Sequence, residues 1–196
     1  MNATRKLAIL LFDDAEVLDF CGPFEVFSVA NQQSDSPPFD VMTVAEKTPI
    51  TARNGLSVNP SHTLASCPKP DLLLVPGGIG TRKEVHNARP VEWIRRVADE
   101  AEMVLSVCTG ALLLGKAGLL DGLETTTHHV AYDLLREIVP SCTVHEDRRY
   151  VDNGKVITSA GIAAGIDMSL HVVERLVGTG TAERTARHME YPWKSP

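Results

Sequence analysis

The chain has 196 residues, 43% of them hydrophobic and 22% charged, a balance that supplies one substantial core and excludes a disordered chain. Its formal net charge of −6 gives no footing for nucleic acid or an anionic membrane, and leaves a small molecule as the expected partner. With no long linker or low-complexity stretch, residues 1–196 are expected to form a single domain.

The opening "MNATRKLAILLFDD" carries an apolar run too short for a signal peptide, and acidic residues follow it at once. Lys6 to Phe12 therefore reads as a first strand, and the chain as cytoplasmic with reduced thiols. No apolar stretch reaches membrane-spanning length. A helix is predicted around Gly22 to Asn31 and a strand over Phe39 to Glu46. Asn54-Gly55 marks a hairpin turn. "DLLLVPGG" (Asp71 to Gly78) is a buried strand ending in a Pro-Gly-Gly turn, and "RPVEWIRRVADEA" a helix with Pro90 in its first turn.

Met103 to Val107 is the next strand, and "TGALLLGKAG" the helix after it, stopped near Gly118. A helix over "VAYDLLREIV" ends at Pro140, and "RRYVDNGKVITS" is a second hairpin turning at Asn153-Gly154. "GIDMSLHVVERLVG" and "TAERTARHMEY" are the closing helices. Strands alternating with helices of this length imply βαβ units. The expected class is α/β, a three-layer sandwich with a mainly parallel central sheet flanked by helices, flavodoxin-like.

Ligands of such sheets bind outside the carboxyl ends of the strands, and three suspicious stretches fall there. Ser106-Val107-Cys108-Thr109-Gly110 has the layout of a nucleophile elbow with sulfur in place of oxygen. Its thiol would sit at a helix N-terminus, where the macrodipole favours thiolate; the bland alternative is a buried core cysteine. Gly77-Gly78 is a tight turn, or a close-approach backbone whose N–H groups stabilise an oxyanion together with that of Thr109. Asp19 is a helix cap, or a general acid/base facing the thiol.

His128 either orients a ligand or is a polar loop residue. Its neighbour His129 is expected to point away, since successive strand side chains face opposite sides. Cys21, Cys67 and Cys142 are read as structural, and Asp13, Asp14 and Glu16 as solvated acids, with Glu16 near the same sheet end. The scattered cysteines have no paired spacing, so no metal is expected, nor any cofactor.

Taken together, "LAILLFDDAEVLDFCGPFEVF", "DLLLVPGG", "SVCTGALLLGKAGLLDG" and "VITSAGIAAGIDMSLHVVE" resemble the ThiJ/PfpI superfamily, the class I glutamine amidotransferase-like group that includes the Parkinson-associated deglycase. "VLDFCGP", "SVCTG", "TTTHH" and "GIAAGID" look most like isonitrile hydratases, and also like the ligand-binding halves of AraC-type regulators. The resemblance implies Cys108 as nucleophile, Asp19 as its acidic partner, Gly78 at the oxyanion position, Thr109 as the residue after the nucleophile, and a homodimer. PfpI-type proteases carry a histidine where this chain has Thr109, which argues against peptide cleavage. Hydratases usually have an aromatic residue where this chain has His129, which alters the pocket.

The implied activity is isonitrile hydration. Cys108 attacks the terminal carbon, and Asp19 protonates nitrogen and then activates water. Two rivals share the fold: a glyoxalase or deglycase acting on 2-oxoaldehydes, and a small-molecule or redox sensor. Because the chain ends at Pro196, the helix-turn-helix module of a regulator is not expected in it.

Overall fold

A computed structural model describes residues 4–193. In chain order the elements are β1 (Arg5–Leu11), α1 (Val17–Gln32), β2 (Phe39–Ala45), β3 (Ile50–Thr51), β4 (Ser57–Val58), β5 (His62–Thr63), β6 (Leu72–Val75), α2 (Thr81–Glu84) and α3 (Ala88–Glu100). Then come β7 (Met103–Val107), α4 (Gly110–Lys116), β8 (Glu124–Thr125), α5 (Tyr132–Ile138), β9 (Thr143–Val144), β10 (Tyr150–Asp152), β11 (Val156–Ser159), α6 (Ala164–Val177) and α7 (Thr179–His188).

Seven strands form the central sheet in the order β10-β11-β7-β6-β1-β2-β5, parallel throughout except where β10 pairs with β11. The strands are continuous apolar runs because helices cover both faces: β6 and β7 are buried at every residue. α1, α6 and α7 pack together as one layer, and α2 to α5 as the other. The expected α/β sandwich is the observed fold. No helix among the described residues is long and apolar enough to cross a membrane.

Both Asn-Gly turns hold. Asn54 (φ +60°) and Gly55 (φ +84°) turn β3 into β4, and Gly154 (φ +85°) turns β10 into β11. Asn87 caps α3 by accepting the Arg89 N–H at 3.3 Å. Sequence reading placed the start of the first helix five residues late. Pro23 is the seventh residue of α1, where it has no N–H to give the Asp19 carbonyl. The predicted helix over Val130 to Val139 is a short 3-10 turn (His129–Ala131) followed by α5. The short elements β5, α2, β8 and β9 had no sequence signal.

The strand order changes direction at β1: β2 lies on one side and β6 on the other. Ligands of open α/β sheets bind at such a reversal, outside the carboxyl ends. The segments that follow β1, β6 and β7 there carry Asp19, Gly77 and Cys108.

Candidate active site

Cys108 is the pivot between β7 and α4. Its φ is +58°, left-handed for a residue with a Cβ, and such backbone persists only where its surroundings enforce it. They do so from several sides. Its N–H donates to the Ser159 and Ala160 carbonyls, 3.1 Å each. The Thr127 hydroxyl donates to its carbonyl at 2.7 Å. Gly110 lets α4 begin directly against β6, since a Cβ there would lie 2.1 Å from the Val75 carbonyl oxygen. The small residue expected after the elbow is therefore a backbone requirement.

Asp19 lies in the first turn of α1 and is fully buried. It is not the helix cap; that position is Glu16, whose side chain makes no cap hydrogen bond. Asp19 Oδ2 accepts the Gly77 N–H at 3.0 Å. Oδ1 is buried without a hydrogen-bond partner. Burial pushes the carboxyl up to about 7, with Glu16 adding to the shift; the approach of the Cys108 thiol and the Gly77 and Ile162 N–H groups opposes it.

Cys108 is only 5% exposed. Burial and the Asp19 charge push its thiol up to about 12, against the Thr109 N–H and side chain, which favour the anion. The expectation of a thiolate sustained by the helix N-terminus is thereby corrected. α4 is seven residues long, and its partial charge is outweighed by burial and a neighbouring carboxylate. At neutral pH the proton stays on sulfur, Asp19 lies near its own midpoint, and the two groups titrate as a pair.

Gly78 (φ +122°) is pressed against the β1–α1 loop, where a Cβ would lie 2.3 Å from the Asp14 carbonyl oxygen. Its N–H donates to Thr109 Oγ1 at 3.0 Å. That hydroxyl also lies 3.1 Å from the Gly78 carbonyl and from Thr81 Oγ1. The N–H groups of Gly77 and Gly78, expected as free oxyanion donors, are thus both bonded within the protein. The Thr109 N–H is the donor directed toward Cys108 sulfur.

His128 Nδ1 accepts the Val130 N–H at 3.3 Å, which leaves the proton of the neutral ring on Nε2. Burial first, then the charges of His129 and Arg82, hold its pKa below the usual value. The His129 ring does not point away: the two ring centroids are 4.3 Å apart. The pair opens a turn rather than lying in a strand, so alternation does not govern it.

These groups surround a pocket of about 250 Å³ lined by Cys108, Thr109, Gly78 and His128, with Ile79, Val130 and Ile162 as apolar rim. Glu16, Arg53 and Arg82 complete the lining. Glu16 is thus a pocket residue. Asp13 is tied to Lys47 at 2.6 Å and to the Thr51 N–H at 3.0 Å, so neither is merely a solvated acid. Sequence reasoning missed Thr127, Arg53 and Arg82; the threonine run before His128 and the Arg53-Asn54-Gly55 turn were the available signals. Cys21, Cys67 and Cys142 are unpaired and lie outside the pocket lining. Among the described residues, no group of three or more His, Cys, Asp or Glu side chains is placed to hold a metal ion.

The isonitrile hydratase of Pseudomonas putida is 36% identical over 187 residues, covering 95% of this chain and 78% of that protein. The HTH-type transcriptional regulator CdhR of Pseudomonas aeruginosa is 34% identical over 170 residues. That match covers 86% of this chain and 50% of the regulator, so the chain spans about half the length of this relative. Among solved structures, a ThiJ/PfpI family protein from Pseudomonas syringae superposes with a TM-score of 0.88 at 29% identity, over 99% of this chain and 78% of that one. Drosophila melanogaster DJ-1beta shares the fold, with a TM-score of 0.85 at 18% identity, over 97% and 100% of the two chains. The DJ-1/PfpI family pattern matches residues 5–175, and with these relatives on either side of that match, the chain belongs to the DJ-1/PfpI family.

Proposed function

We propose that the chain is a Cys108-dependent hydratase converting isonitriles to N-substituted formamides. The observation that carries this reading is geometric: the fully buried Asp19 carboxyl is held by the Gly77 N–H through Oδ2 and keeps Oδ1 without a hydrogen-bond partner, beside the Cys108 thiol, and burial pushes it up to about 7. A group so tuned can take a proton and return it at neutral pH. The 36% identity to an isonitrile hydratase supports the same chemistry, and Thr109 in place of a histidine removes the local base that peptide cleavage would use.

Asp19 takes the thiol proton as sulfur bonds to the terminal carbon of R–N≡C. A formamide C–H requires that this proton end on carbon, giving the thioimidate R–N=CH–S–Cys108. Water then adds to that carbon, with Asp19 receiving its proton and passing one to nitrogen. The C–S bond breaks, sulfur regains a proton, and R–NH–CHO leaves. One water is consumed and no electrons are transferred. Each step moves a proton through one carboxyl, which is why a resting thiolate is not needed.

The test is formamide production from an alkyl isonitrile, followed by chromatography. Wild-type protein is expected to produce formamide and Cys108→Ser to lose nearly all turnover. Absence of formamide across small and bulky isonitriles, with methylglyoxal consumed, transfers the reading to a glyoxalase. The half-length match to CdhR favours a second reading, a sensor domain, whose signature is saturable ligand binding without turnover of either substrate.

A further inference from the structure

The pocket mouth carries charge that a neutral isonitrile does not need. Arg53 and Arg82 both line it, against one carboxylate, Glu16, and a neutral His128. Arg53 is exposed on the β3–β4 turn, and its backbone N–H is fixed to the Ala15 carbonyl at 2.8 Å. Its guanidinium makes no ion pair or side-chain hydrogen bond among the described residues. Arg82 is half-buried, and only its Nη1 is engaged, at 3.1 Å from Thr81 Oγ1 and 3.5 Å from the Gly78 carbonyl oxygen. Elsewhere Arg5, Arg89, Arg136, Arg148, Arg149 and Arg175 are bound to carboxylates. The two arginines at the pocket are not, and of the other arginines without such a partner among the described residues (Arg95, Arg96, Arg184 and Arg187) none lines this pocket.

Resting on the hydratase reading, the geometry points to a substrate that bears a carboxylate on the R group. Arg53 and Arg82 hold that carboxylate at the mouth while the isonitrile carbon reaches Cys108. The site is then graded in charge, with Arg53 and Arg82 in the lining and the fully buried Asp19 carboxyl behind Cys108, outside the lining. An anionic substituent is drawn to the arginines and repelled from the neighbourhood of Cys108, where the Asp19 charge is felt, so the field itself selects the end that meets sulfur. A pocket of about 250 Å³ suits a small molecule. In a chain of net charge −6, a locally positive mouth also concentrates anions that the rest of the surface turns away.

The test compares formamide production from isocyanoacetate and from methyl isocyanoacetate, which differ by one charge. The carboxylate is expected to have a kcat/KM at least about tenfold higher at low salt, the scale of one charge-assisted hydrogen bond. That ratio should collapse in the Arg53→Gln, Arg82→Gln double variant. Equal kcat/KM for the two substrates, with the ester hydrated, overturns the inference and leaves the hydratase standing. If neither is hydrated, the hydratase reading fails by itself, and alkylation of Cys108 decides the inference. Iodoacetate and iodoacetamide differ by the same charge. An iodoacetate-to-iodoacetamide rate ratio that falls in the double variant sustains a carboxylate-selecting mouth. A ratio unchanged from wild type overturns it.

Discussion

Replacing Asp19 by Asn is expected to abolish turnover and, at neutral pH, to stabilise the fold. The amide keeps an oxygen for the Gly77 N–H, 3.0 Å from Oδ2, but cannot be ionised. In the unfolded chain Asp19 loses its proton through the ordinary carboxylate value of 3.8, and in the folded protein only through about 7. Between those values the folded state binds more protons than the unfolded one, so wild-type stability falls as pH rises through this window and levels off above it. A separation of about three pKa units corresponds to about 4 kcal/mol of destabilisation at pH 8, and with a chain of this size to a melting shift on the order of 10 °C.

The assay is thermal melting of both proteins from pH 4 to pH 8, with formamide production measured alongside. The two curves should nearly meet at pH 4 and separate as pH rises, the variant being the more stable. Activity should fall by about a hundredfold or more, the usual contribution of a positioned acid/base. Melting temperatures that differ by the same amount at every pH, or a variant less stable at pH 8, would refute the account of Asp19 as a destabilised carboxylate. The site would then not be trading stability for chemistry.

The same variant should alkylate faster at Cys108 than wild type at pH 8, because the Asp19 charge is one of the groups holding the thiol up; iodoacetamide labelling with peptide mapping reads the rate. Thr127→Val removes the 2.7 Å hydrogen bond to the Cys108 carbonyl and leaves that acceptor only the long 3.5 Å bond from the Ala111 N–H. It should cost about 1–3 kcal/mol in denaturant unfolding and lower kcat more than it raises KM. Gly110→Ala drives a methyl to within 2.1 Å of the Val75 carbonyl oxygen. Soluble yield and melting should both drop sharply, whereas Gly122→Ala, where a Cβ meets nothing within 4 Å and only the left-handed φ of +72° opposes a side chain, should cost only about 1–2 kcal/mol.

The parts of the site that could be read in the sequence are those built from contiguous residues. The elbow at 106–110 announces itself because a strand, a thiol and a helix must meet within five residues, and β7 is found with its observed bounds. The start of α1 was hidden because Gly22 and Pro23 are local helix breakers. In the fold, Gly22 is where α6 comes close, a Cβ there lying 3.1 Å from Ile166 Cγ1, and that packing has no local signature. The protonation states were likewise out of reach: helix-terminus reasoning favours a thiolate, but the answer depends on burial of two groups 89 positions apart in the chain. Arg53 and Arg82 lie 29 positions apart, and only the hairpin and α2 bring them to one opening.

The bonds that hold Cys108 in its left-handed conformation come from Thr127, Ser159 and Ala160, all later in the chain than the cysteine they restrain. During synthesis, therefore, the thiol emerges before any of its clamps exist. Until β11 pairs alongside β7, Cys108 is an unconstrained cysteine in a flexible segment, without the backbone geometry that aims it. On the hydratase reading, turnover in a refolding experiment should therefore appear only with the docking of this distant strand and mark the closure of that part of the sheet rather than collapse of the chain.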